Sequence, residues 1–187
     1  KISAPNKNIL LLRALLQSTV FNHLSKKSSW FERTITRLYF NGEDRGLYAF
    51  EESPNIDTLE SNFRKNGPIY SVDESFGQTF PEIVYKAYSE EFWIINNEDI
   101  LETGYSILNN IRDNKIEISQ DNFNFEKWAK FFALTDLSKT YHGLLSKSVR
   151  LYFDPVLGKF EPISFDGHKG TVRTTQKNKN FIIFIDM

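Results

Sequence analysis

Cysteine is absent from all 187 residues, which excludes disulfides, thiol catalysis and zinc–thiolate sites and leaves the redox compartment undecided. An excess of either charge is missing too. Twenty-three Lys and Arg face 24 Asp and Glu, for a net charge of −1, and the two signs are interleaved. The electrostatic footprint of a nucleic-acid binder is therefore lacking over the chain as a whole, and no nucleic-acid partner is expected. Long apolar runs are also missing. Residues 9–16 are interrupted by Arg13, and residues 181–185 are far too short to cross a bilayer, so this segment is expected to carry no membrane span and no signal peptide. His23, His142 and His168 are scattered and make no metal-ligand pattern. No G-x-S-x-G, Walker-A loop or dinucleotide fingerprint occurs, which disfavours serine hydrolases and the common nucleotide folds.

What is present is ordinary globular material, 40% apolar and 25% charged. Seventeen Phe and eight Tyr promise an aromatic core suited to mixed sheet and helix. The length fits a single domain of two lobes, roughly residues 1–80 and 81–187. The chain starts at Lys1 without a methionine and stops just after an apolar run, so it is expected to be a segment of something longer.

Periodicity predicts a first helix over residues 5–24, with Leu12, Leu15, Leu16, Thr19 and Val20 on one face. Residues 33–41 and 47–52 read as strands joined through Asn41-Gly42 and Gly46, a hairpin signature. A short helix is expected over 56–65, a break at Gly67-Pro68, a third strand over 69–72 and a loop over 73–80. Two helices follow, over 82–92 and 98–112. A polar, basic and mobile stretch is expected over 170–180.

The last third carries the chemistry. In the helical run from Phe125, the residues Phe125, Trp128, Ala129 and Phe132 recur at helical spacing, and Asp136 continues that stripe one turn on. A carboxylate pushed toward a core costs several kcal/mol unless something pairs with it. The hairpin of residues 149–153 and 160–166 offers a reason. If Asp154 pairs near Phe160, then Asp166 lies opposite Ser148, and two acids could hold a metal ion and a phosphate between them. Plainer readings stand beside these: Asp136 as an exposed helix-end residue, Asp166 as a turn former before Gly167, Glu51-Glu52 as solvated strand-end charge. His142, six residues after Asp136, is a structural histidine or a further site residue.

Three patterns in order bring in a resemblance. Asn41-Gly42-Glu43-Asp44-Arg45-Gly46-Leu47-Tyr48-Ala49-Phe50-Glu51-Glu52, then Gly67-Pro68-Ile69-Tyr70, then the hairpin from Arg150 through Asp154-Pro155 to Pro162-Ile163-Ser164-Phe165-Asp166-Gly167 resemble the CotH kinase family, the spore-coat protein kinase H relatives. The resemblance spans nearly the whole chain. It implies an α+β, atypical protein-kinase-like fold, with a strand-rich N-terminal half and a helix-rich C-terminal half. It implies a Mg-ATP-dependent (or manganese-dependent) kinase that phosphorylates Ser or Thr of a protein, in a spore coat, cell envelope or extracellular surface. Residue by residue, Asp136 matches the catalytic-loop aspartate and Asp166 the metal-binding aspartate, while Glu52 sits beneath the nucleotide lobe.

Two positions depart from the family pattern. Many relatives carry lysine where this chain has Ser71, and asparagine where it has Ser148. Ser71 and Ser148 then fall at nucleotide-binding positions, Ser148 also at a metal position. Serine brings no cation to ATP phosphates, although its hydroxyl can help bind magnesium, and Lys65 or Lys86 is left to compensate. The alternative reading, from a different class, is a catalytically degraded surface or envelope binding module that keeps the fold and recognises a protein or surface ligand.

Overall fold

The alternation of apolar and polar residues along short strands builds two antiparallel sheets among the described residues, whose two long helices both follow residue 80. A computed structural model describes residues 2–3, 33–51, 59–60, 64–73, 83–145 and 148–165. The expected first helix (5–24), the segment 170–180, and Glu52 and Asp166 lie outside the described residues.

The first sheet has the order β1-β3-β2, with β1 at Ile2–Ser3, β2 at Arg33–Phe40 and β3 at Glu43–Glu51. The strand β1 was not anticipated. Asn41 and Gly42 take positive φ angles of 52° and 80°, as a two-residue hairpin turn of matching twist requires. The connection is therefore two residues long, not the six read from sequence, and β3 begins at Glu43. The register shifts between Arg37 and Tyr39, opposite a stretch in which Gly46 has φ of 84°. There Asp44 accepts hydrogen bonds from Arg37 Nε and Gly46 N, each at 2.8 Å.

The second sheet, which positions the candidate site, has the order β5-β4-β6-β7. Its strands are β4 (Ile69–Val72), β5 (Tyr85–Ala87), β6 (Arg150–Asp154) and β7 (Lys159–Ile163). The third strand lies where the sequence put it. The helix expected over 82–92 does not: Tyr85–Ala87 pairs with β4 as a strand, and helix begins only at Glu90. Of the helix expected over 56–65, residues 59–60 are helical and 64–66 are not.

Helix α1 runs Glu90–Arg112, interrupted at Asn97, whose φ of −164° and ψ of 70° are non-helical. Beyond that kink Leu101, Gly104, Leu108 and Ile111 are buried at 3–4 spacing. Gly104 is where Tyr70 crosses the helix. A Cβ there would collide with the Tyr70 hydroxyl, which donates to Leu101 O at 2.7 Å. Tyr105 ties the helix to β5, donating to Glu90 Oε1 and accepting from Ala87 N.

Helix α2 runs Phe125–Ser138, capped by Asn124, whose side chain accepts from Lys127 N, and ended by Lys139 at φ 54°. Its buried face is Trp128, Phe131, Leu134 and Thr135. That corrects the expected stripe: Ala129 and Asp136 are exposed, because the face is rotated by about one residue toward Phe131. A 3-10 turn, Tyr141–Leu144, follows.

Directly paired residues in an antiparallel sheet point to the same side and successive ones to opposite sides. One side of the second sheet, with Tyr70, Ala87, Leu151, Phe153 and Phe160, packs into the main core beneath α1 and α2. The other, outer side carries Ile69, Tyr152 and Ile163, which cluster with Leu59.

Candidate active site

On that outer face the strand pairing lines up a row of polar side chains. Ser71 on the central strand β4 is paired with Lys86 on β5 and with Arg150 on β6. A cavity of about 340 Å3 is lined by Ser71, Asp73, Lys86, Tyr88, Ser89 and Arg150, together with Val72 and Ala87. That volume lies at the small end of the range for small-molecule sites. The lining residues come from both sides of residue 80.

Arg150 is buried and held from several sides. Its Nε donates to the Tyr88 hydroxyl at 2.6 Å, its Nη1 donates to Val149 O at 3.1 Å, and its guanidinium lies 4.3 Å from the centre of the Phe165 ring. Stacking plus hydrogen bonding fixes the planar group far better than a lysine could be fixed. Lys86 is the opposite case: its side chain is exposed, and among the described residues its ammonium has no carboxylate in ion-pair range. Lys65, the other substitute suggested by the sequence, does not line this cavity. Its carbonyl accepts from the Tyr152 hydroxyl at 2.8 Å.

A second charged group occupies the β7 side of the same face. Glu161 is completely buried. Its carboxylate accepts from Lys127 Nζ at 2.6 Å through both oxygens and from Asn124 Nδ2 at 3.1 Å, and Arg64 stands 2.9 Å away. Burial holds the Lys127 ammonium below its usual pKa, and the bond to Glu161 partly offsets this. Asn124 therefore caps α2 and also binds the strand against which the helix starts.

The residues singled out from the sequence fall as follows. Asp136 is exposed in the last turn of α2, where Tyr141 donates to its Oδ1 at 2.6 Å. That bond raises the pKa of the Tyr141 hydroxyl. Asp136 is thus not a carboxylate pushed into the core. Ser148 is buried, its hydroxyl 3.3 Å from His142 Nδ1. The 3-10 turn therefore bridges Asp136 and Ser148 through its two consecutive residues Tyr141 and His142. Ser71 lies in the cavity, and Glu52 and Asp166 lie outside the described residues. The register is one residue off the sequence expectation: Asp154 pairs with Lys159, and Arg150 with Ile163. Continued along the strands, that register sets Phe165 and not Asp166 opposite Ser148. The turn explains the slip, since Asp154 Oδ1 accepts from Val156 N and Leu157 N and pulls the loop tight.

The fit to a magnesium nucleotide can be judged from donor chemistry. Magnesium takes oxygen ligands, usually one or two carboxylates with phosphate oxygens and water. The residues suggested for it here, Asp166 and the Ser148 hydroxyl, are oxygen donors, and the cavity on the outer sheet face offers the cations Lys86 and Arg150 for phosphate. Among the described residues no three His, Cys, Asp or Glu converge on one point, so an all-protein cage is not the arrangement in question. Two residues before Asp166, the buried Ser164 hydroxyl has no hydrogen-bond partner among the described residues, a costly state unless something satisfies it. The donor set fits.

Sequence reasoning named Lys86 only as a substitute for the cation absent at Ser71, and it missed Arg150 and Glu161. The alternation Tyr85-Lys86-Ala87, with one polar residue between two apolar ones, was the signal available for Lys86.

The described residues define an α+β chain with two antiparallel sheets, two long helices and a cavity on one sheet face. The family model described as CotH kinase protein matches residues 7–185, nearly the whole chain. The chain belongs to the CotH kinase family. Among curated proteins, none matches it. Among the described residues, no helix is long and apolar enough to cross a membrane.

Proposed function

We propose that this chain is a single atypical kinase-like domain, with lobes of roughly 1–80 and 81–187, that binds Mg-ATP and transfers the γ-phosphoryl group to a serine or threonine hydroxyl of a protein. Family membership over residues 7–185 carries this reading. The cation-bearing cavity on the outer face supports it as the place for phosphates. When bound, magnesium would neutralise the charge that develops on the phosphates. The chain's own contributions are positional. Asp136, accessible at the end of α2 and oriented by Tyr141, receives or orients the acceptor hydroxyl proton. Asp166 and the Ser148 hydroxyl hold the metal, and Glu52 supports the nucleotide side. Such transfer is mostly orientation and charge stabilisation, so few groups suffice.

A second reading rests on Ser71 and Ser148, which stand where many relatives carry lysine and asparagine: a degraded surface or envelope module that binds a protein partner without chemistry. Calorimetry of ATP binding separates the two. The kinase reading expects measurable binding only with magnesium or manganese present. Metal-independent binding, or none at millimolar ATP, would leave the binding module.

A further inference from the structure

The sheet register puts two cations on either side of the serine that replaces the family lysine. Resting on the nucleotide reading above, we propose that Lys86 takes over phosphate binding from position 71, with Arg150 as the fixed positive floor of the same site. The ligand class is a chain of linked phosphates.

Three observations carry this. Lys86 is the direct partner of Ser71 on the neighbouring strand, so its Cα is displaced by only one strand spacing, ~4.8 Å, and both side chains leave the same face. The four-carbon stem of lysine can span that displacement, so an ammonium rooted at 86 reaches the space above 71. Serine at 71 is small and leaves that space open within the cavity of about 340 Å3. Charge then selects the ligand. Among the described lining residues, two cations, Lys86 and Arg150, stand with one carboxylate, Asp73, a balance that favours an anion. The two cations are rooted about two strand spacings apart, ~9–10 Å, wider than one carboxylate and suited to several phosphates in line. Arg150 is bonded to Tyr88 and stacked on Phe165, so it acts as a positioned charge, and the mobile contact falls to Lys86. Ser89 adds the N-terminus of α1 to the lining, but Glu90 and Glu91 occupy its first turn and offset its dipole. The lysine therefore supplies the charge that the helix end does not.

The test titrates tripolyphosphate without metal, and Mg-ATP, into the wild type, into Lys86→Gln, and into the swap Ser71→Lys with Lys86→Ser. A charged hydrogen bond lost on Lys86→Gln should weaken both ligands ~10-fold or more. The swap, which returns the ammonium to the central strand, should recover binding to within about threefold of wild type. Because Lys86 is exposed and makes no ion pair among the described residues, Lys86→Gln should melt like wild type. Lys86→Gln binding as wild type does would overturn the inference while leaving the kinase reading intact. Tripolyphosphate binding that depends on Lys86 in a protein that never binds Mg-ATP would uphold the clamp and sink the kinase reading. A wild type that binds neither ligand would overturn both.

Discussion

The two ends of the outer sheet face hold the same kinds of group and treat them in opposite ways. At the β7 side, Glu161 is sealed from water and surrounded by Lys127, Arg64 and Asn124. At the β5 side, Lys86 is exposed beside a cavity and makes no ion pair among the described residues. A charge whose partners are all internal is committed to the fold, because desolvation is repaid only by those partners. A charge left at an open cavity has its attraction unspent and is available to a ligand. The difference separates structural from binding charge within one sheet.

That separation breaks most visibly at Glu161. Glu161→Ala leaves Lys127 and Arg64 facing each other without their anion. Removing one partner of a buried pair costs about 3–5 kcal/mol. Lys127 and Arg64 side chains retain 22% and 17% exposure and can turn toward water, which points to about 3 kcal/mol. For a chain of this length that is a fall in Tm of roughly 6–12 °C, read by thermal melting. Loss of nucleotide binding with an unchanged melt would place Glu161 with the binding charges after all.

Gly104 sharpens the contrast from the opposite face, where there is no charge to lose. Gly104→Ala drives a methyl group into Tyr70 and threatens the bond from its hydroxyl to Leu101 O. Overpacking of this kind costs about 1–3 kcal/mol, so a Tm fall smaller than that of Glu161→Ala is expected. Helix preference alone would make alanine the better residue by about 1 kcal/mol. A rise in Tm would therefore show that Tyr70 does not rest on the helix at this point.

The buried tyrosines give a pH test. Burial pushes the Tyr85 hydroxyl up to about 12 from an ordinary 10.0 and also raises Tyr70, Tyr105 and Tyr152. The folded chain then keeps protons that the unfolded chain releases. The contribution of Tyr85 to stability is complete below about pH 10 and is lost as pH rises through about 12, while the other three go on weakening the fold above that; within its window each group costs up to ~1.4 kcal/mol per pH unit. Denaturant unfolding from pH 8 to 11.5 should be flat and then fall. Tyr85→Phe should lessen the slope by about one proton, and an identical slope would mean that this phenol is already solvated.

Much of this architecture could be read from residues alone, and the exceptions share a cause. The Asn41-Gly42 turn, the strand at Ile69–Val72, the long helix ending at Arg112 and the final hairpin all have strong local signals: a positive-φ dipeptide, a Gly-Pro break, repeating apolar spacing. Tyr85-Lys86-Ala87 was read as helix because no Gly or Pro interrupts residues 82–92, and only pairing with β4 makes it a strand. The helix from Phe125 was certain, but its face was not. Residues 128–134 are apolar at every position except Lys130, so two overlapping stripes fit, and Asp136 was assigned to the wrong one. The one-residue slip in the last hairpin came from the Asp154 side chain closing its own turn. Glu161 gave no signal, since its partners Lys127 and Asn124 are 34 and 37 residues away.

The smallest effect on the fold is expected at Asp136, where the functional consequence is the one to watch. Its carboxylate is exposed, and its described contact is the hydroxyl of Tyr141 at 2.6 Å. Asparagine keeps an oxygen that can accept that bond, so Asp136→Asn should hold stability within about 0.5 kcal/mol of wild type. Unlike Glu161, this acid has no burial to compensate. Unlike Lys86, it does not line the cavity, so Mg-ATP affinity should also stay near wild type. What asparagine cannot do is take up a proton from an acceptor hydroxyl, and losing a positioned base lowers the chemical step by ~10²-fold or more. Radiolabelled phosphate transfer to a protein acceptor, measured beside calorimetry and melting on the same preparation, tests all three. Transfer at the wild-type rate would make Asp136 a plain helix-end residue. Loss of nucleotide binding in step with transfer would remove its separate role as the acceptor-side group.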